Sequence, residues 1–219
     1  MSVGPKTQPE IGRVIHCDAC VAEGAAWLAQ RDARFGHALA QTGPLPLRLK
    51  PDGFGPLLNA IVSQQVSVAS ANAIWARLEN AGLTDAAAIL GVDDETLRAV
   101  GMSRQKARYA RALAEADIDY AALREVPSDQ VIKTLVTVPG IGVWTAEIYT
   151  MFSLGRADIF APGDLALQES ARILFDLPAR PKDRVLRDMA QDWAPWRSVA
   201  ARALWAYYRV ATKNKGLSD

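Results

Sequence analysis

Two helical stretches meet across the segment Leu135-Val136-Thr137-Val138-Pro139-Gly140-Ile141-Gly142-Val143-Trp144-Thr145-Ala146, whose turn carries two glycines one residue apart. Glycine tolerates positive φ and presents no side chain, so an anion such as phosphate can come close to its backbone. The helix that follows starts at about Gly142. Its first amides are donors without intrahelical partners, backed by the positive end of the helix dipole. Such a turn can hold an anion without lysine or arginine. The same residues also suit a tight αα-turn that only reverses the chain. Asp164 follows Pro162-Gly163 and opens another helix. Taken alone it reads as an N-cap, a common arrangement, where the free amides and the dipole favour the ionised form. His16-Cys17-Asp18-Ala19-Cys20 has metal-ligand residue types, but with no second cysteine pair a structural zinc site is not expected.

Helices must position these groups. Half of the 219 residues are apolar and 22% are charged, which excludes disorder for most of the chain. No stretch approaches the roughly 18 uncharged apolar residues of a membrane helix, and the first residues lack the pattern of a secretory leader. Cys17 and Cys20 cannot build a disulfide scaffold, which fits a reducing compartment. The 25 Lys and Arg against 24 Asp and Glu leave a net charge of +1, so affinity for a polyanion has to come from local arrangement.

Helical periodicity runs nearly throughout, with no alternating β-branched runs between. Residues 1–19 read as a loose leader. The spacing predicts a helix over Val21–Ala33, and two between Phe54 and Asn80, parted at Ser63-Gln64-Gln65. Short helices follow at Ala86–Leu90 and Asp94–Val100, then a longer one over Ser103–Ala116 with Ser103 as its cap. One helix ends at about Leu135 and another at about Leu154, and the rest cover Asp164–Phe175, Lys182–Trp193 and Trp196–Val210. About ten helices make an all-α bundle. On the last helix Trp196, Val199, Ala203, Ala206, Tyr207 and Val210 form one apolar stripe, while Trp205 falls outside it beside Ser198 and Arg202 and needs another surface to cover. Arg98, Arg104, Lys106, Arg108 and Arg111 make residues 98–111 basic, either as a solvated face or as a path for a nucleic-acid strand.

Four segments, in order, carry a resemblance: Ile61-Val62-Ser63-Gln64-Gln65-Val66-Ser67-Val68, Gly101-Met102-Ser103-Arg104-Gln105-Lys106-Ala107, the Leu135–Ala146 hairpin, and Trp196-Arg197-Ser198-Val199-Ala200-Ala201. With Asp164 they cover roughly residues 54–210. The chain resembles the helix–hairpin–helix superfamily of DNA base-excision glycosylases, in its 3-methyladenine DNA glycosylase II branch. The resemblance implies a two-lobed all-α fold with a cleft between the lobes. It places a central lobe at 53–156, containing the hairpin at about 128–153, and a second lobe in 1–52 plus 157–219. Larger relatives add an N-terminal β-domain that this chain is too short to hold.

The resemblance also implies roles. Asp164, 20 positions beyond Trp144, becomes the catalytic carboxylate, stabilising a sugar that turns cationic as its N-glycosidic bond breaks. Trp144, Trp205, Ile148 and Leu165 fall in the base pocket, the last two at positions where some relatives have tyrosine. Core packing is the competing reading for both tryptophans. Gly140, Gly142, Val143 and Thr145 would hold DNA at the hairpin. Gln64 and Gln65 form the turn that fills the gap left by a flipped base, with Gln65 as the wedge; an ordinary polar helix end is the alternative. Arg197 would position the catalytic carboxylate or a backbone carbonyl. Main-chain carbonyls of Val136, Val138 and Ile141 match positions where relatives bind a monovalent cation, Na+ or K+, and no cofactor is required. Strand-cutting relatives carry a lysine where this chain has Trp144, so water is the expected nucleophile. The four C-terminal cysteines of the iron–sulfur branch are absent. A monofunctional glycosylase for alkylated purines follows as the expectation, acting as a monomer on damaged double-stranded DNA, with no membrane partner. It would be cytoplasmic in a bacterium and nuclear in a eukaryote. A glycosylase for deaminated or etheno-adducted bases, or a non-catalytic damaged-DNA-binding module, would use the same residues.

Overall fold

Short polar side chains set the helix boundaries. Asp32, Ser67, Asp85, Asp93, Ser103, Asp119 and Asp164 each accept a hydrogen bond from a backbone amide of the turn they precede, satisfying donors that a helix start otherwise leaves unpaired. A computed structural model describes residues 11–214 and shows, in chain order, α1 (Asp18–Arg31), α2 (Ala33–Thr42), α3 (Phe54–Val62), α4 (Val68–Asn80), α5 (Ala86–Leu90), α6 (Asp94–Ala99), α7 (Arg104–Glu115), α8 (Tyr120–Leu123), α9 (Ser128–Leu135), α10 (Val143–Phe152), α11 (Leu165–Leu174), α12 (Asp183–Met189) and α13 (Arg197–Asn214), with a 3-10 turn over Ala190–Trp193. Among the described residues there is no strand, only one antiparallel bridge between Val14 and Arg156, and no helix is long and apolar enough to cross a membrane.

The all-α expectation holds, with two α-helices beyond the stretches that periodicity marks. The extra ones are α2 and α8. Asp32 ends α1 and caps α2 by accepting from Arg34 N at 2.9 Å, so two helices meet where periodicity predicts one ending at Ala33. The single turn of α8 is too short to show a period. The leader expected over residues 1–19 is corrected from Ile11 onward, because residues 13–15 pair with 155–157 and α1 begins at Asp18; residues 1–10 lie outside the described residues.

The chain divides into two compact units, Pro51–Tyr149 and Gly12–Lys50 with the described part of Thr150–Asp219. The division therefore falls inside α10. In the first unit α3, α5 and α6 pack on α7, whose inner face Ala107, Ala110 and Leu113 is buried. In the second unit α1, α2 and α11 pack on α13. Its aromatic core sets Phe35 edge-on to Trp193 at 5.4 Å and Phe160 at 5.2 Å from the same indole, pairs worth about 0.5–1.5 kcal/mol each beyond burial. Gly24 lets α1 lie against α13: a Cβ there would sit 2.6 Å from the Trp196 ring. On α13 the predicted stripe from Trp196 to Tyr207 is buried, and so are Ser198 and Arg202 on the other face.

Candidate active site

The Pro139–Gly142 segment forms a type II-like turn. Ile141 N donates to Val138 O at 3.0 Å across Pro139 and Gly140, and Gly140 takes φ +94° at the position where such a turn requires it. Of the two glycines only Gly140 lies at positive φ. A Cβ on Gly140 would meet the Tyr109 ring at 2.5 Å, whereas one on Gly142 would meet nothing within 4 Å. Gly142 thus leaves open space in front of α10. Ala146 N bonds to Gly142 O at 3.0 Å, so the first-turn amides of Val143 and Thr145 have no acceptor inside the helix. Val143 is exposed and Thr145 buried.

Sequence separation of 76 closes the other side of this turn. Gln64 Nε2 donates to Gly140 O at 2.8 Å, and Lys106 Nζ donates to Val62 O at 2.6 Å, at the C-terminal end of α3. Gln64 therefore braces the hairpin. Gln65 stands exposed at φ +56° beside it. These residues, with Ser103 and Tyr109, line a cavity of about 520 Å³. Two members of the basic run are structural: Lys106, just described, and Arg111, which pairs with Asp94 at 2.9 Å and donates to Ile89 O and Val92 O. Trp144 is 47% exposed, too open for the core-packing reading. Ile148 is half-buried.

In the second unit the sequence-selected residues converge. Asp164 Oδ1 accepts from Ala166 N at 2.9 Å and Leu167 N at 3.0 Å, the N-cap of α11. The same oxygen accepts from Trp205 Nε1 at 3.2 Å. Lying off the apolar stripe, Trp205 turns its indole N–H to this carboxylate. Its ring rests 5.8 Å from that of Phe152, and the Arg202 guanidinium covers the Phe152 ring at 4.7 Å. Arg202 donates to Leu47 O and Ser198 O; burial, then the nearby Arg48 charge, pulls its pKa down to about 10. Gln168 Nε2 holds Pro162 O at 2.8 Å, fixing the loop that delivers Asp164. Leu165, next to the acid, is 62% exposed. Arg197 engages Asp158 through two bonds of 2.6 and 2.8 Å, so the carboxylate it holds is Asp158 rather than the expected Asp164. Phe152, Gln168 and Tyr109 give no signal in the sequence, because an ordinary phenyl, amide or phenol side chain on a helix shows its role only through the partner it touches.

An all-α chain with a glycine hairpin and a helix-capping acid on the following helix defines a class. A family model described as HhH-GPD superfamily base excision DNA repair protein matches residues 58–195, and the chain belongs to that family. It is 30% identical over 175 residues to DNA-3-methyladenine glycosylase 1 of Schizosaccharomyces pombe, covering 76% of this chain and 77% of the relative. Its fold is similar to that of a DNA-3-methyladenine glycosidase from Bacillus halodurans, with TM-score 0.80, 31% identity, and coverage of 92% of this chain and 94% of the other. It is also similar to the 3-methyladenine DNA glycosylase of Schizosaccharomyces pombe in complex with abasic DNA, with TM-score 0.72, 28% identity, and coverage of 84% and 95%.

Proposed function

We propose that this chain is a monofunctional DNA glycosylase that hydrolyses the N-glycosidic bond of alkylated purines, 3-methyladenine first and 7-methylguanine with it. The observation that carries the reading is the Asp164 carboxylate, held by two backbone amides and one indole N–H. An immobile anion of this kind costs no reorganisation when positive charge develops on a sugar. The C1′–N bond breaks with its electron pair leaving on the base, water adds its oxygen to C1′, and a proton is lost, with Asp164 orienting that water. A purine alkylated at N3 or N7 is already cationic and departs neutral, so no acid has to protonate it. That chemistry favours alkylated purines over deaminated bases.

In this reading the damaged nucleotide is flipped from the duplex. Trp144, Trp205, Ile148 and Leu165 are assigned to contact with the base, the two indoles because an aromatic face attracts its positive charge. The Gly140 and Gly142 backbone with the amides of Val143 and Thr145 takes a DNA phosphate. Gln65 is the wedge, and Gln64 supports it through Gly140 O. A Na+ or K+ ion on the carbonyls of Val136, Val138 and Ile141 would stiffen the turn; Val138 O already accepts from Ile141 N and keeps a second lone pair. No amine stands at position 144 to form a Schiff base, so strand cleavage does not follow base release.

Chromatography of the bases freed from methylated duplex DNA tests the proposal. Release of 3-methyladenine with intact abasic strands, and no adduct trapped by borohydride, is the expected result. Release confined to uracil, hypoxanthine or etheno-adenine substrates would move the function to another lesion. Tight binding with no base freed would make the chain a damaged-DNA-binding module.

A further inference from the structure

The start of α1 holds three metal-ligating side chains that the glycosylase mechanism does not use. His16, Cys17 and Cys20 place their ligand atoms within 4.8 Å of one another. The two sulfurs are 3.4 Å apart, and Cys20 Sγ lies 3.7 Å from His16 Nδ1. Tetrahedral zinc, with bonds of about 2.3 Å to sulfur and about 2.0–2.1 Å to nitrogen, requires edges of roughly 3.8 Å between sulfurs and roughly 3.6 Å between sulfur and nitrogen. Two of the three edges stand at nearly that spacing already, and the third, between Cys17 Sγ and the His16 ring, is within 4.8 Å, a gap that a side-chain rotation closes.

The backbone that carries them is fixed by groups outside the cluster. Ile15 N donates to Gly155 O at 2.7 Å and Ala157 N to Arg13 O at 2.9 Å, pinning the residues before His16. Cys20 N bonds to Cys17 O at 3.1 Å in the first turn of α1. Ile15 and Val21, on either side, are each 1% exposed. A ligand set built on anchored elements binds without first ordering the chain. His16 is exposed and both cysteines are half-buried, so an ion reaches them from solvent.

We propose that His16, Cys17 and Cys20 form a zinc site with three protein ligands and the fourth position open to water. Two thiolates neutralise the dication, and the imidazole supplies the third bond. The spacing that excluded a closed structural site, the lack of a second cysteine pair, is what leaves the fourth position open.

The test uses the full chain, reduced and stripped with chelator, and titrated first with Co2+ and then with Zn2+. One equivalent of Co2+ should bind with near-ultraviolet thiolate-to-cobalt charge-transfer bands and the visible bands of tetrahedral cobalt, and one equivalent of Zn2+ should bleach both. The double variant Cys17→Ala/Cys20→Ala should lose the charge-transfer bands and bind Zn2+ about a hundredfold more weakly or worse, since even outer-shell changes cost roughly 10–100-fold. His16→Ala should keep the bands and weaken Zn2+ binding by about tenfold or more. Metal-free melting curves of all three proteins serve as the folding control and should coincide. Equal Zn2+ affinity in wild type and double variant, or cobalt bound without charge-transfer bands, overturns the proposal. So does a chain isolated with a Cys17–Cys20 disulfide that takes up no zinc after reduction.

Discussion

Asp93 and Asp164 are both aspartates that begin helices, and locally they are nearly the same object. Asp93 Oδ1 accepts from Thr96 N and the Thr96 hydroxyl, each at 2.8 Å, which holds its carboxyl below the usual range. Asp164 Oδ1 accepts from Ala166 N and Leu167 N. The difference lies 41 residues away, where Trp205 brings an indole N–H to the same oxygen. A cap that serves only its helix is satisfied within four residues. Asp164, the cap we propose as catalytic, is also gripped by tertiary structure, on a loop whose Pro162 carbonyl is itself tied down by Gln168.

The largest expected contrast comes from truncating each acid. Asp164→Ala should slow release of 3-methyladenine by about 10²–10³-fold and cost about 1 kcal/mol of stability for the lost cap. Trp205→Phe keeps an aromatic side chain but exchanges the indole for a smaller phenyl ring and deletes the N–H, and single-turnover base release should fall about tenfold or more, at least the worth of one hydrogen bond to a charged group. An unchanged rate would reduce Trp205 to packing. The two hairpin glycines extend the same reasoning. Gly142→Ala should fold normally, yet bind abasic-site DNA about tenfold more weakly in fluorescence anisotropy, as one blocked phosphate contact would. Gly140→Ala should destabilise the fold by about 1–2 kcal/mol in urea melts, because φ +94° and the Tyr109 ring both oppose a side chain.

A third aspartate sharpens the comparison. The Asp52 carboxylate accepts from the Tyr149 hydroxyl and pairs with Arg124 at 2.6 Å. Burial first, and then this hydroxyl–carboxylate bond, push the Tyr149 phenol above the ordinary range. Tyr120 rises to about 12 through burial and the Asp52 charge. A raised phenol contributes stability that is complete below the unfolded pKa of about 10 and is lost as pH climbs past it. The urea midpoint should therefore decline from about pH 10 upward, and Tyr149→Phe should flatten that decline. Smallest of all, Asp93→Ala should lower Tm by a few degrees and leave base release unaltered; a fall in activity would erase the distinction from Asp164.

Much of this was legible in the sequence because local chemistry is short-ranged. The Pro139–Gly142 turn, the Ser103 cap and the break at Ser63-Gln64-Gln65 each follow from residues within five positions of one another. Trp205 was flagged by helical periodicity as lying off the core stripe, although what it touches was not. Gln64 bonding to Gly140, and Gln168 to Pro162, left no trace, because glutamine is ordinary in a polar turn or on a helix. Helix α2 was missed for a related reason: Asp32 ends one helix and starts the next without a proline or glycine to mark the joint.

Asp164→Asn is the most direct trial, since asparagine caps a helix as well as aspartate does but brings no negative charge. Single-turnover release of 3-methyladenine from methylated duplex DNA, measured beside the melting temperature and the affinity for abasic-site DNA, separates the two roles. Loss of release by about 10²–10³-fold with melting and binding preserved is the predicted outcome. Release at the wild-type rate would show that the carboxylate is only a cap.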